Sequence, residues 1–245
     1  MDNDIDNDIL IFAIENGFNC NLQNKYYNTI FHENVKSKET VKLAIENGFD
    51  VNLQNDNGET IFHYNCYSDN LEFAIENGFD VNLKDINGET VFHINSHLPH
   101  LEFAIEKGFD VNLKDINGNT IFHNGRYWKC LSLAIENGFN THVKNNNGNT
   151  IFHGNSHHSN LLPLEISKGF DVNSINKNGD TIFHYSNPTH LIFGIENGFD
   201  TNIKNKYGDT IFHDINIHST SIEFAIKKGF NVNIQNKQKK TIFHS

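Results

Sequence analysis

Asn87-Gly88-Glu89-Thr90-Val91-Phe92-His93 is the stretch around which the rest of the chain is organised. Its core, T-[IV]-F-H, ends at His32, His63, His93, His123, His153, His184, His213 and His244, in steps of 29 to 31 residues. A nearly fixed step of this size marks a stacked-repeat architecture, in which each unit packs only on its neighbours. The 245 residues therefore read as one elongated domain. Function must be sought in what differs between the copies.

One unit runs from Asn87 to Ile116. Asn87-Gly88 is a tight-turn dipeptide. Thr90 suits a helix N-cap. His93 falls at the third helical position, which a capping box gives to Glu or Gln, so its imidazole is placed to reach back to Thr90 or across to the adjacent loop. A variable segment, 94–100, leads to a second helix in Leu101-Glu102-Phe103-Ala104-Ile105-Glu106, whose apolar Leu101, Ala104 and Ile105 recur at helical spacing. Gly108 closes that helix, and Phe109 is placed to fold back on it. Asp110 to Lys114 is then an extended arm leading to the next turn. Pro99, Pro163 and Pro188 all fall just before or at the start of a second helix, where a missing N–H costs little.

These residues resemble the ankyrin repeat, whose units carry N-G-x-T-P-L-H, two antiparallel helices and G-A-D-V-N. Here the matching stretches are Asn57-Gly58-Glu59-Thr60-Ile61-Phe62-His63 and Gly78-Phe79-Asp80-Val81-Asn82. The resemblance implies an all-α, ankyrin-type solenoid of stacked helix-turn-helix units with projecting β-hairpin loops. It implies one repeat domain over 1–245, with about eight units, a half unit at 1–28 and a last unit incomplete after 241. The period is about three residues short of the family's 33. Ile or Val replaces the Pro, and Phe replaces the Ala of G-A-D. A buried aromatic ring covers on the order of 150–250 Å². Phe18, Phe49, Phe79, Phe109, Phe139, Phe170, Phe199 and Phe230 are thus expected to form a ladder whose rings make up for the apolar area that shortened helices cannot bury.

Thirty acidic against 19 basic residues give a net charge of −11, which argues against a nucleic-acid backbone or an anionic membrane as the main partner. Cys20, Cys66 and Cys130 form no C-x-x-C pair, so a reducing, cytoplasmic setting is the simpler reading. The start, Met1-Asp2-Asn3-Asp4, shows no secretory signal, and the longest apolar run, Ile9 to Ile14, is too short to span a bilayer. The 41 asparagines reflect either an AT-rich genome or the many turn positions. A viral or intracellular-pathogen source would place the protein in a host cytoplasm. Asp2, Asp4, Asp6 and Asp8 read as an acidic cap, and Lys237, Lys239 and Lys240 as a polar last hairpin.

Repeated histidines first suggest a metal array. Stacked helices lie about 8–10 Å apart, however, so equivalent side chains cannot share one zinc with bonds of about 2 Å. Thr60, His63, Thr90, His93, Thr120, His123, Thr150 and His153 are accordingly assigned to capping and loop bridging. His153 and His157 share a helical face at i, i+4 but lack the H-E-x-x-H context, and no metal or other cofactor is expected. Glu15, Glu46, Glu76, Glu106, Glu136 and Glu196 read as a solvated helix face, or as a stripe that steers a basic partner. No nucleophile and base pair, phosphate loop or metal cluster appears, so no enzyme activity is expected.

The positions that change from copy to copy are the candidate partner-binding residues. After the tetrads these are Tyr64, Tyr67, His97, Arg126, Tyr127, Trp128, His157 and Tyr185; at the hairpin tips they are Ile86, Ile116 and Tyr207. Arg, Tyr and Trp are the types enriched at interface hot spots, although Trp128 is equally suited to filling space beside a short helix pair. The resemblance implies a protein–protein interaction scaffold that holds a protein partner on a concave face of first helices and hairpin tips, as a monomer. It also marks Asn52, Asn82 and Asn112 as positions that asparaginyl hydroxylases modify in some family members. The alternative is a structural protein that self-associates through its C-terminal end, where Ile242 and Phe243 would lie open.

Overall fold

The computed structural model describes residues 7–33, 37–64, 68–94, 100–123, 127–153, 161–184, 190–213 and 219–244. They fall into two compact units, 1–116 with 129–139 and 117–128 with 140–245. The structure is helical, and its hairpin arms carry only the isolated bridge Ile175–Thr181 among the described residues. Frequent Asn and Gly in the arms explain this, since both favour turns over strand pairing.

In the first unit the second helices are α1 (Asn7–Glu15), α3 (Lys38–Glu46), α5 (Ser68–Glu76), α7 (Leu101–Glu106) and α8 (Leu131–Glu136). Between them lie the first-helix segments α2 (Ile30–Glu33), α4 (Ile61–Tyr64) and α6 (Val91–Ile94). α1, α3, α5 and α7 stack in sequence, as do α2, α4 and α6. In the second unit the second helices are α9 (Leu162–Ser167), α10 (Leu191–Glu196) and α11 (Ser219–Lys227), and α10 packs on α11. There the tetrads form turns or the 3₁₀ turn Ile211–His213. Each second helix buries the apolar face that its spacing defines, for example Leu101, Ala104 and Ile105. It then ends in a left-handed Gly: the Phe49 N–H returns to the Ala44 carbonyl at 2.9 Å, and the Asn47 side chain caps the Leu43 carbonyl at 2.8 Å.

That return places the Phe after each Gly against the Phe of the tetrad. Phe31–Phe49, Phe62–Phe79, Phe92–Phe109, Phe152–Phe170, Phe183–Phe199 and Phe212–Phe230 have ring centroids 4.5 to 4.9 Å apart. Each of these rings of the expected ladder is thus paired with the tetrad ring of its own repeat. Phe18 departs from the set: it is 38% exposed, while the other seven are about 5% exposed or less.

Two substitutions in the second unit alter the core locally. At the helix position held by Ala104 and Ala134, α9 carries Glu165, only 3% exposed. Its carboxylate accepts the Thr141 hydroxyl and pairs with Lys168 at 3.1 Å. Thr141 itself stands where other repeats have Val81 or Val111, so one polar exchange answers the other. In α10 the same position is Gly194, and a Cβ there would lie 2.4 Å from Phe183 Cζ, so the ring fills that space. Among the described residues, the buried side-chain atoms without a hydrogen bond belong to Thr40, Asn70, His100 and His190. All four hold the position before the first core residue of a second helix, which Leu161 fills without an unmet polar group.

Candidate interaction surface

The Thr–His tetrad is a joint between repeats. In all eight copies the Thr backbone N–H lies 3.0 to 3.2 Å from His Nδ1. A backbone N–H can only donate, so Nδ1 is the acceptor and the ring proton sits on Nε2. The Thr hydroxyl donates to the same Nδ1 at 2.8 to 3.0 Å. The Nε2–H of His32 and His63 in the first unit, and of His123, His153, His184 and His213 in the second, reaches a carbonyl of the next turn at 3.0 to 3.3 Å. Burial pushes the His63 imidazole below its ordinary pKa and His153 down to about 4, with the carbonyl bond opposing the shift. A neutral, hydrogen-bonded ring of this kind has no proton or lone pair to spare for chemistry.

Three further columns tie the arms together. In the first unit, Asn52 donates to the Gly78 carbonyl at 2.9 Å and accepts from the Asp80 N–H at 2.8 Å; Asn21 and Asn82 do the same one repeat away. Asn173 repeats this bridge in the second unit, where His142 stands in the equivalent slot and packs edge-on against Phe170 instead. Gln54 and Lys84 reach the carbonyl of the next arm at 3.0 and 2.9 Å, as Lys144 and Lys204 do in the second unit. Neighbouring hairpin tips are joined by one backbone bond each, such as Ile86 N–H to Asn57 O and Ile116 N–H to Asn87 O, both 2.8 Å. Gly58 makes that approach feasible: its φ is +72°, and a Cβ would sit 3.1 Å from Asp85 Cα.

With the backbone of the arms committed, the tip side chains are what project. Ile86 and Ile116 are 66% and 62% exposed on successive tips of the first unit. Tyr207 is exposed in the second unit, with Lys206 Nζ 5.0 Å above its ring. Tyr26 and Tyr27 are exposed too, and the sequence motif does not single them out, because their turn lacks the Asn-Gly pair. The fixed period alone would place them at the tip. Tyr64 is exposed, yet its hydroxyl is held by Asn55 at 3.1 Å and by the Glu59 carboxylate. Tyr127 has left-handed backbone (φ 58°) and precedes the 3₁₀ turn Trp128–Cys130, in which Trp128 is 45% exposed. Tyr67, His97, Arg126, His157 and Tyr185 lie outside the described residues. Among the described residues, no group of three or more His, Cys, Asp or Glu is placed to hold a metal ion, and no helix is long and apolar enough to cross a membrane.

The comparisons with known proteins agree with this geometry. Residues 2–85 match the family model described as Ankyrin repeats (3 copies). The structure resembles a solved one titled the ankyrin repeat domain of Bcl-3, a unique member of the IkappaB protein family. Identity is 14% and the TM-score 0.53, over 76% of this chain and 93% of that one. The chain thus matches ankyrin repeats over residues 2–85, and its fold is that of an ankyrin-repeat domain. No curated protein matches it in sequence.

Proposed function

We propose that the chain is a protein–protein interaction scaffold, without catalysis, that holds a protein partner along its hairpin tips and the adjoining first helices. One observation carries this reading: the arm backbone is stitched from repeat to repeat, whereas the side chain on each tip differs, as in Asp56, Ile86 and Ile116. A surface free of packing duty yet held in register suits selective recognition, and ankyrin repeats generally serve as interaction modules. In the second unit, Tyr127 and Trp128 are candidate contact residues in their own right. Replacing Ile86 and Ile116 together by Asp tests the assignment. At least one protein retained from a native extract by the unaltered chain is expected to be lost by the variant, with the same circular dichroism. Retention of an identical set would refute the role of these tips.

A further inference from the structure

The two units differ sharply in charge. Residues 1–116 with 129–139 hold 8 Lys against 22 Asp and Glu, a net charge of −14. Residues 117–128 with 140–245 hold 11 Lys and Arg against 8 Asp and Glu, a net charge of +3. The overall −11 thus conceals a basic second unit. Its lysines are concentrated on the hairpin edge. The tip position reads Lys25, Asp56, Ile86 and Ile116 in the first unit, but Asn146, Lys177, Lys206 and Lys237 in the second.

Three consecutive tips are therefore lysine, and all three side chains are exposed. Backbone bonds set them in a row, one per repeat: Lys177 N–H to Asn147 O at 2.9 Å, Lys206 N–H to Asn178 O at 2.7 Å, and Lys237 N–H to Tyr207 O at 2.9 Å. Lys206 Nζ is further held by Asn178 Oδ1 at 2.7 Å. The carboxylates of the same turns are held by the next turn: Asp180 accepts from Asn205 at 2.9 Å and Asp209 from Asn236 at 2.7 Å.

We infer that this row binds an acidic protein segment in an extended, polyproline-type conformation with a carboxylate at every third residue. Packed repeats step by about 8–10 Å. A polyproline-type chain rises about 3.1 Å per residue with three residues per turn, so every third side chain returns to the same face about 9 Å further on. The two periods coincide, and each carboxylate meets one lysine. A single exposed pair of this kind is weak and screened by salt; three in register favour the spaced arrangement over a mere excess of charge. The inference rests on the reading of the hairpin edge as the interaction surface.

The test uses the full chain and a fluorescent peptide with Glu at every third residue, beside a peptide of the same composition with its glutamates contiguous. Anisotropy at low salt is expected to show the spaced peptide bound at least tenfold more tightly. Lys177→Glu with Lys206→Glu is expected to weaken that binding at least tenfold without moving the melting temperature. Equal affinity for the two peptides, or indifference to the double substitution, overturns the inference. So does tighter binding to phosphatidylserine vesicles or to single-stranded DNA than to the spaced peptide. If the peptide fails while the Ile86 and Ile116 variant still loses its captured protein, the lysine row is refuted and the interaction reading stands.

Discussion

The tetrad histidine links single-residue chemistry to stability. For His153 the folded pKa lies near 4 against an ordinary value of 6.5, because burial and the donors on Nδ1 favour the neutral ring. The unfolded chain therefore takes up a proton first as pH falls. The stabilisation is complete above about pH 6.5 and is lost progressively as pH drops toward 4, by on the order of 2–3 kcal/mol. Chemical denaturation at pH 7 and pH 4.5 checks this: His153→Gln should be less stable at pH 7 yet lose less on acidification than the unaltered chain. Equal losses would remove His153 as the source. Glu165 makes a second test, because the buried carboxylate and Thr141 answer each other. Thr141→Val alone should destabilise by about 1–3 kcal/mol through loss of a buried partner. Thr141→Val with Glu165→Ala restores the pattern of the other repeats and should be more stable than that single variant in a denaturant titration. The Thr–His spacing makes the reach of the imidazole back to Thr legible in sequence. The Thr141–Glu165 pairing is not, because the two lie 24 positions apart and only the fold brings them together.

At the scale of the element, each turn needs left-handed backbone at one residue, and Gly58 supplies it while admitting the next arm. Tyr27 and Lys239 occupy the same slot at φ 58° and 60°, where a side chain is strained. Lys239→Gly should raise stability by a few tenths to about 1 kcal/mol in thermal melts, the relief of strain being partly offset by glycine's freedom when unfolded. Gly58→Ala should lower stability by more than about 1 kcal/mol, since its Cβ meets the backbone of Asp85. Turns, helix-ending glycines and the apolar face of the second helix are legible because each has a local spacing. The pairing of Phe92 with Phe109 is less so, because the closing glycine folds one ring onto the other only once both helices are in place.

For the whole molecule, the period exposes the repeat architecture, and the total charge obscures its polarity. Charge is legible only as a sum, since the division between units depends on which residues touch in three dimensions. The candidate surface is legible in part: Ile86, Ile116 and Tyr207 stand exposed on their tips, whereas the roles of Tyr26 and Tyr27 are hidden by a turn without Asn-Gly. The division of labour between a stitched framework and variable tips is open to one direct measurement, hydrogen exchange of the chain with and without a captured protein partner. Added protection at the tips around residues 26–27, 56–57, 86–87, 116 and 206–207 is expected, with little change in the exposed faces of α3, α5 and α10. Protection confined to those second helices, with the tips unchanged, would contradict it.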